Sequence, residues 1–144
     1  MPHEQEALMA PRQKLYPTFR YRDPDRMLTW LTEVVGFAEV NTHREGETVA
    51  HAELALGGSI LMLGQARADA YGAEVGTPGP DANGGKSLYL AVENPDDLFK
   101  RVQASGVEIL EGLTDRDYGS REFRCRDFEG NVWCFGTYAP QVGG

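Results

Sequence analysis

The segment YRDPDRMLTWLTEVVGF at residues 21–37 begins its helical pattern at Asp23-Pro24-Asp25. The same arrangement returns 71 residues later, within VENPDDLFKRVQASGV at residues 92–107. In both copies an Asp or Asn side chain can cap the first free N–H groups of a helix, and proline takes the first helical position, where its missing N–H costs nothing. Apolar residues then follow at helical spacing until Gly36 or Gly106, which are typical helix ends. The sequence therefore predicts two matching helices.

A second repeated element lies downstream of each helix. GGSILML at residues 57–63 matches EGNVWCF at residues 129–135, and both read as a glycine-centred turn followed by a short apolar strand. The chain thus contains two copies of strand, helix and three strands, which is an α+β fold of two tandem βαβββ modules. The predicted elements lie at 15–22, 24–35, 37–43, 47–56 and 59–64 in the first copy, and at 86–92, 95–105, 107–111, 121–127 and 131–138 in the second.

The two modules, at 15–64 and 87–140, are expected to form one domain. Residues 1–14 read as a flexible N-terminal tail. Residues 65–86, QARADAYGAEVGTPGPDANGGK, are rich in glycine and proline, and this composition predicts a linker or lid without regular structure. Because a connection of this length is usually either functional or disordered, both interpretations stay open.

Composition limits the classes of function. The chain has 144 residues, 41% of them hydrophobic, which is enough for a buried core without disulfides. Its formal net charge of −8 argues against nucleic acid or an anionic membrane as a partner. The N-terminal residues lack a signal-peptide pattern, so a cytoplasmic location is expected. The two cysteines fit no zinc motif.

The repeated βαβββ unit resembles the vicinal oxygen chelate superfamily, which includes glyoxalase I, extradiol dioxygenases, fosfomycin-resistance enzymes and bleomycin-resistance proteins. Segments 20–37, 51–54, 58–63 and 118–138 are most similar to the bleomycin-resistance and glyoxalase-like branch. The resemblance implies that each module is a half-barrel of mixed sheet, with a helix on its convex face and a ligand on its concave face. It also implies a homodimer, in which one module of each chain closes against a module of the other.

Alternation along the strands separates a core face from a cavity face. The large apolar side chains expected to face the helices are Phe19, Tyr21, Leu54, Leu56, Leu61, Leu63, Leu88, Leu90, Val92, Trp133 and Phe135. The opposite set is polar, aromatic and mixed, as in a ligand cavity. It comprises Tyr16, Thr18, Arg20, His51, Glu53, Met62, Ser87, Tyr89, Glu122, Arg124, Val132 and Cys134.

Metal-dependent members of the superfamily place their ligands on the first and last strand of each module. The resemblance transfers those positions to Tyr16, Met62, Ser87 and Cys134, none of which is a histidine or a carboxylate. A divalent metal needs about three or four strong N, O or thiolate donors, so this set is a poor one. We expect no metal and no other cofactor.

Cys134 has several interpretations. It can be a small cavity-lining residue where relatives keep a metal ligand, or a catalytic thiol whose pKa is lowered by Arg124. A disulfide with Cys125 is disfavoured because alternation places the two side chains on opposite faces. Reduced thiols are expected.

His51 and Glu53 form the other candidate pair, since His3 lies in the tail and His43 in a predicted hairpin tip. They can act as a general base or half of a metal site, or as a hydrogen-bonded pair that orients a ligand. Arg20 and Arg124 can bind a carboxylate or phosphate of a ligand, or pair with Glu53 or Glu122. Tyr118 and Arg121 can border the cavity or belong to a simple turn.

Three functions are compatible with these residues. The first is a binding protein that holds a small, aromatic or cationic molecule in a metal-free cavity, as bleomycin-resistance proteins do. The second is a metal-dependent lyase or dioxygenase of the glyoxalase type, which the four substituted positions oppose. The third is a metal-free enzyme that uses His51, Glu53 or Cys134.

Overall fold

The computed structural model describes residues 13–76 and 86–142. The predictions for most of the tail, for His3 and for the second half of the linker lie outside these residues. The first module consists of β1 (Thr18–Tyr21), α1 (Pro24–Thr29) with a π-helical continuation (Trp30–Val35), β2 (Ala38–Glu45), β3 (Thr48–Leu56) and β4 (Ser59–Gln65). A short helix, α2 (Ala70–Val75), follows. The second module consists of β5 (Ser87–Ala91), α3 (Pro95–Ala104), β6 (Glu108–Asp115), β7 (Arg121–Arg126) and β8 (Val132–Gly136).

Each module contains one four-stranded mixed sheet, and the two sheets have equivalent topology. Their strand orders are β1-β4-β3-β2 and β5-β8-β7-β6. The first and last strands of each module are parallel, and the other neighbours are antiparallel. The predicted α+β fold of two βαβββ modules is therefore confirmed.

Both predicted helix starts are present. The side chain of Asp23 accepts a hydrogen bond from the Arg26 N–H at 3.1 Å, and that of Asn94 accepts one from the Asp97 N–H at 3.2 Å. The first helix ends at Gly36, whose φ of 111° is a conformation that other residues rarely adopt. Within the described residues, no helix is long and apolar enough to span a membrane.

Two element predictions were wrong. Residues 65–86 were expected to lack regular structure, yet α2 forms within them, because the Asp69 carboxylate caps the Gly72 N–H at 2.7 Å. Strand β6 was expected to end at residue 111. It continues to Asp115 because it pairs with β7 as far as Arg121.

The core follows the predicted alternation. On β8, Trp133 and Phe135 are buried while Val132 and Cys134 are half-buried; on β4, Leu61 and Leu63 are buried around a half-buried Met62. Leu56, Leu88, Leu90 and Val92 pack against this core but stay partly exposed. The register of the two sheet faces is therefore the one that the sequence predicts.

Direct contacts join the two modules on the helical side. The Glu129 carboxylate accepts hydrogen bonds from the backbone N–H groups of Arg22 and Asp23, at 2.9 and 2.8 Å. The indole of Trp30 donates to the Ser105 hydroxyl at 3.0 Å. The buried apolar residues of the two modules form one hydrophobic core.

Candidate functional site

On the first module, His51 and Glu53 lie together on the sheet face that points away from the core. His51 Nε2 lies 2.9 Å from Glu53 Oε2, and both side chains are partly exposed. Among the described residues, no group of three or more His, Cys, Asp or Glu side chains could hold a metal ion, so this pair belongs to no such group. The two side chains thus form the expected hydrogen-bonded pair.

Arg20 on the same face has a partner that the sequence did not predict. Its NH1 donates to the Gln65 carbonyl at 3.0 Å and lies 3.7 Å from Asp69 Oδ2, and its guanidinium lies 4.7 Å from the centre of the Tyr71 ring. The pairing with Glu53 or Glu122 was wrong because α2 brings Asp69 to the end of β1.

On the second module, two arginines and two glutamates form a connected network. The Arg116 guanidinium is paired with Glu111 and donates to Glu122 Oε1 at 3.3 Å. Arg124 NH1 lies 3.4 Å from Glu111 Oε1, because β6 and β7 pair Glu111 directly with Arg124. The suggested pairing of Arg124 with Glu53 or Glu122 was therefore also wrong. Within the network, two positive charges balance two negative ones.

Glu122 is the most buried member, with a side chain 7% exposed. Tyr118 OH donates to its Oε2 at 3.0 Å. Desolvation alone would raise the pKa of Glu122, but hydrogen bonds from Ser120, Tyr118 and Arg116 outweigh it and hold the pKa below its usual value. Glu122 is therefore an ionised carboxylate at neutral pH whose oxygens are engaged by the protein.

The same surroundings make Cys134 a poor nucleophile. Burial raises the pKa of its thiol, and the negative charge of Glu122, whose Oε1 lies 4.0 Å from the sulfur, raises it further. Arg124 and Arg116 oppose the rise without reversing it. Both cysteines are free, and Cys125, fully buried on the core side, has a pKa raised to about 12 by burial. Cys134 is thus a protonated, half-buried lining residue.

Three tyrosines surround this network and present their rings to solvent. Tyr89 is 39% exposed, Tyr138 52% and Tyr118 61%. The Tyr118 and Tyr138 rings meet edge to face with centroids 6.3 Å apart, and Tyr89 OH donates to the Tyr138 carbonyl at 2.6 Å. This face of the second module therefore combines exposed aromatic rings with the charge-balanced network of arginines and glutamates.

Gly136 packs against Glu122 and Tyr89, and we expect Gly136→Ala to disturb this packing. A Cβ there would lie 2.6 Å from Glu122 Cγ and 2.7 Å from Tyr89 OH, so the variant should lose about 1–3 kcal/mol of unfolding free energy through overpacking. Gly58→Ala is the matched control, since its Cβ would meet nothing within 4 Å. Urea unfolding of both variants measures the difference, and equal stabilities would contradict the packing described.

Glu122→Gln is expected to change the acid stability of the protein. The folded-state pKa of Glu122 is lowered, so its contribution to stability is present above the unfolded pKa of about 4.3 and is lost as pH falls through the folded value. Urea unfolding between pH 7 and pH 3 should show a smaller acid loss for the variant than for the wild type. Parallel pH profiles would show that the network does not stabilise the ionised carboxylate.

The positions implied by metal-dependent relatives do not fit a metal ion. Tyr16 precedes β1, Ser87 begins β5, and Met62 and Cys134 are half-buried on the last strands. They offer a phenol, a hydroxyl, a thioether and a protonated thiol, which give a divalent cation little charge compensation. No chemical step is therefore assigned to a metal at these residues.

The predicted cavity residues do not line one cavity in a single chain. Thr18, Arg20 and His51 share a cavity of about 200 Å³, while Tyr16 and Tyr89 border a cleft of about 370 Å³ between the modules. Glu122, Arg124 and Cys134 line neither of these two cavities. They lie on an open sheet face.

Several residues of these faces were missed by the sequence analysis. Glu111 is the last residue of the predicted strand, Arg116 follows the part of β6 that was not predicted, and Tyr71 lies in the unpredicted helix α2. Gly136 was the missed residue that the sequence could have indicated, because the repeat aligns it with Gly64. A Cβ at Gly64 would also be too close to its neighbours, 2.5 Å from the Ala50 carbonyl oxygen.

Comparison with known proteins agrees with the fold. A profile of the glyoxalase/bleomycin resistance protein/dioxygenase superfamily matches residues 15–135. The crystal structure of TioX from Micromonospora sp. ML1 is 31% identical, with a TM-score of 0.71 over 88% of this chain and 99% of that chain. No curated protein is significantly similar in sequence.

More distant structures share the fold alone. A member of the same superfamily from Sphaerobacter thermophilus DSM 20745 is 18% identical, with a TM-score of 0.65 over 89% of this chain and 98% of that chain. The fosfomycin resistance protein FosX from Mesorhizobium loti is 16% identical, with a TM-score of 0.65 over 90% of this chain and 94% of that chain. From the match over residues 15–135 and the likeness to TioX, the chain belongs to the glyoxalase/bleomycin resistance protein/dioxygenase superfamily.

Proposed function

We propose that the protein binds a small aromatic molecule, without a metal, on the concave face of its second module. The observation that carries this proposal is the group of three partly exposed tyrosines, Tyr89, Tyr118 and Tyr138, around the charge-balanced network. Exposed aromatic rings beside a charge-balanced polar surface offer stacking area at low entropic cost.

The charges favour an aromatic ligand over a cationic one. Although the whole chain carries −8, each carboxylate of the network already has an arginine within ion-pair distance. A cation would therefore meet no uncompensated negative charge on this face. A flat ring with a hydroxyl or amide group can stack on the tyrosines without disturbing these pairs.

A homodimer is the proposed form of the complete site. In one chain the second-module face is open, and a buried ligand needs a second wall. Leu15 is 95% exposed and Tyr16 42% exposed beside β1; within the described residues β1 and β5 are edge strands of their sheets. Such edges favour association with another chain. Sedimentation velocity at micromolar concentration should show a dimer, whereas a monomer would contradict this part of the proposal.

The ligand class can be tested with two probes of matched size. We expect 2-naphthol to bind the protein in EDTA with a dissociation constant of about 1 mM or below, and trans-2-decalol, its saturated counterpart, to bind far more weakly. Titration monitored by ¹⁵N-resolved NMR should move the amide signals of Tyr89, Cys134 and Tyr138. Equal binding of both probes, or shifts confined to the first module, would contradict stacking on these tyrosines.

Two variants of Tyr118 distinguish the contribution of its ring to binding from that of its hydroxyl. Tyr118→Leu should weaken 2-naphthol binding by about 3–10-fold, because one aromatic pair contributes about 0.5–1.5 kcal/mol. Tyr118→Phe keeps the ring and should bind within about twofold of the wild type. Tyr71→Leu, on the first module, is the control for loss of a tyrosine elsewhere. A loss of affinity in Tyr118→Phe equal to that in Tyr118→Leu would assign binding to the hydroxyl instead.

A further inference from the structure

A small cavity beside the sheet of the first module has an arginine in its lining. It measures about 200 Å³ and is lined by Thr18, Arg20, His51 and Tyr71 together with the apolar Ala50 and Leu63 and with Gly64. Among the described residues that line it, there is a fixed cation and no carboxylate. The nearest carboxylates, those of Asp69 and Glu53, lie beside Arg20 and His51 but are not part of the lining.

Arg20 has one hydrogen bond and one long ion pair among the described residues. Among the described residues, its single hydrogen bond runs from NH1 to the Gln65 carbonyl at 3.0 Å, and the Tyr71 ring supports the guanidinium at 4.7 Å. Asp69 Oδ2 lies 3.7 Å from Arg20 NH1, within ion-pair distance but too far for a hydrogen bond. Donor capacity of a largely buried arginine is therefore left over.

From these contacts we infer that the cavity binds a small monocarboxylate through Arg20. A carboxylate matches the planar guanidinium, and the Thr18 hydroxyl can supply a further donor. The cavity has room for a few non-hydrogen atoms beside the apolar Ala50 and Leu63. Asp69 lies beside Arg20 and Glu53 beside His51, and these carboxylates would repel a second negative charge on the ligand, which disfavours a phosphate dianion.

This inference goes beyond the proposed aromatic ligand. The cavity is lined by the first module and by Tyr71 of α2, and it requires neither the tyrosines of the second module nor a dimer. Tyr71 is on α2, the helix formed by the first part of the predicted linker. This helix therefore contributes one side of the cavity.

The test compares three probes on the full chain by ¹⁵N-resolved NMR. Sodium propionate should shift the amide signals of Ala50, His51 and Gly64 in a saturable manner at millimolar concentration. Propionamide, the neutral isostere of propionate, should bind at least about tenfold more weakly, because a charge-assisted hydrogen bond is worth more than a neutral one. Inorganic phosphate should also bind at least about tenfold more weakly, because its second negative charge is repelled by Asp69 and Glu53. Equal shifts with propionamide, tighter binding of phosphate, or linear shifts without saturation would each overturn the inference.

Variants locate the interaction. Arg20→Gln should weaken propionate binding at least about tenfold, and Arg20→Lys, which keeps the charge but not the planar fork, should weaken it less. Arg67→Gln is the matched control, since Arg67 is a nearby exposed arginine paired with Glu45 at 3.3 Å, and its affinity should stay within about twofold. Wild-type affinity in Arg20→Gln would overturn the inference, and so would an equal loss in Arg67→Gln.

Discussion

Trp133→Ala is expected to lower the free energy of unfolding by about 3–5 kcal/mol, the range for removing a large buried aromatic side chain. Trp133 is 1% exposed and stacks on Phe135 at 5.9 Å. Its edge contacts reach Trp30 and Phe37, with centroids 5.8 and 6.3 Å away, so the indole joins the cores of both modules. Urea unfolding measures the loss.

The neighbouring residue provides the control. Cys134→Ser changes a half-buried atom on the opposite face and should cost less than about 1 kcal/mol, while altering the binding of aromatic probes. A larger cost for Cys134→Ser than for Trp133→Ala would mean that the two sheet faces are assigned one residue out of register.

Asp127→Ala is the second substitution with a large expected effect, and it should lower the free energy of unfolding by about 3–5 kcal/mol. Asp127 is 3% exposed, and its carboxylate accepts hydrogen bonds from Glu129 N at 2.8 Å, Asn131 N at 3.0 Å and Trp133 Nε1 at 2.9 Å. Each buried donor left without an acceptor costs about 1–3 kcal/mol, and the three share one site, so the sum is not additive. Urea unfolding of the variant measures the cost.

Asp127→Asn is the conservative counterpart. Burial raises the pKa of Asp127 against the opposing effect of its hydrogen bonds, so a neutral amide of the same shape avoids the cost of desolvating a charge. It retains one acceptor oxygen and should lose less stability than Asp127→Ala. If the two variants lose the same stability, the carboxylate oxygens are not what fixes this turn.

The fold was predictable because its determinants are local and repeated. The capped helix starts at Asp23 and Asn94 and the alternation around Trp133 depend on neighbours in sequence, and both were confirmed. The helix α2 was missed because one side-chain cap at Asp69 outweighs a composition rich in breakers. For α2, the capping residue indicated a helix, whereas the glycine- and proline-rich composition of the segment indicated none.

The candidate site was predictable only in part. Alternation placed Cys134 and Glu122 on the face opposite the core, but it could not identify their partners. Arg116 reaches Glu122 because of the length of β6 and the turn that follows it, and Tyr71 reaches Arg20 through tertiary packing of α2. Such contacts join segments whose relative placement depends on the whole fold, so no local pattern specifies them.

Calorimetric titration of Zn²⁺, Ni²⁺, Mn²⁺ and Fe²⁺ into the dialysed protein tests most directly whether the concave faces are metal-free binding surfaces. Because Tyr16, Met62, Ser87 and Cys134 offer weak donors, we expect no uptake tighter than about millimolar and unchanged binding of 2-naphthol in EDTA. Tight, near-stoichiometric uptake that Cys134→Ser or His51→Gln abolishes would contradict the proposal and would favour a metal-dependent enzyme instead.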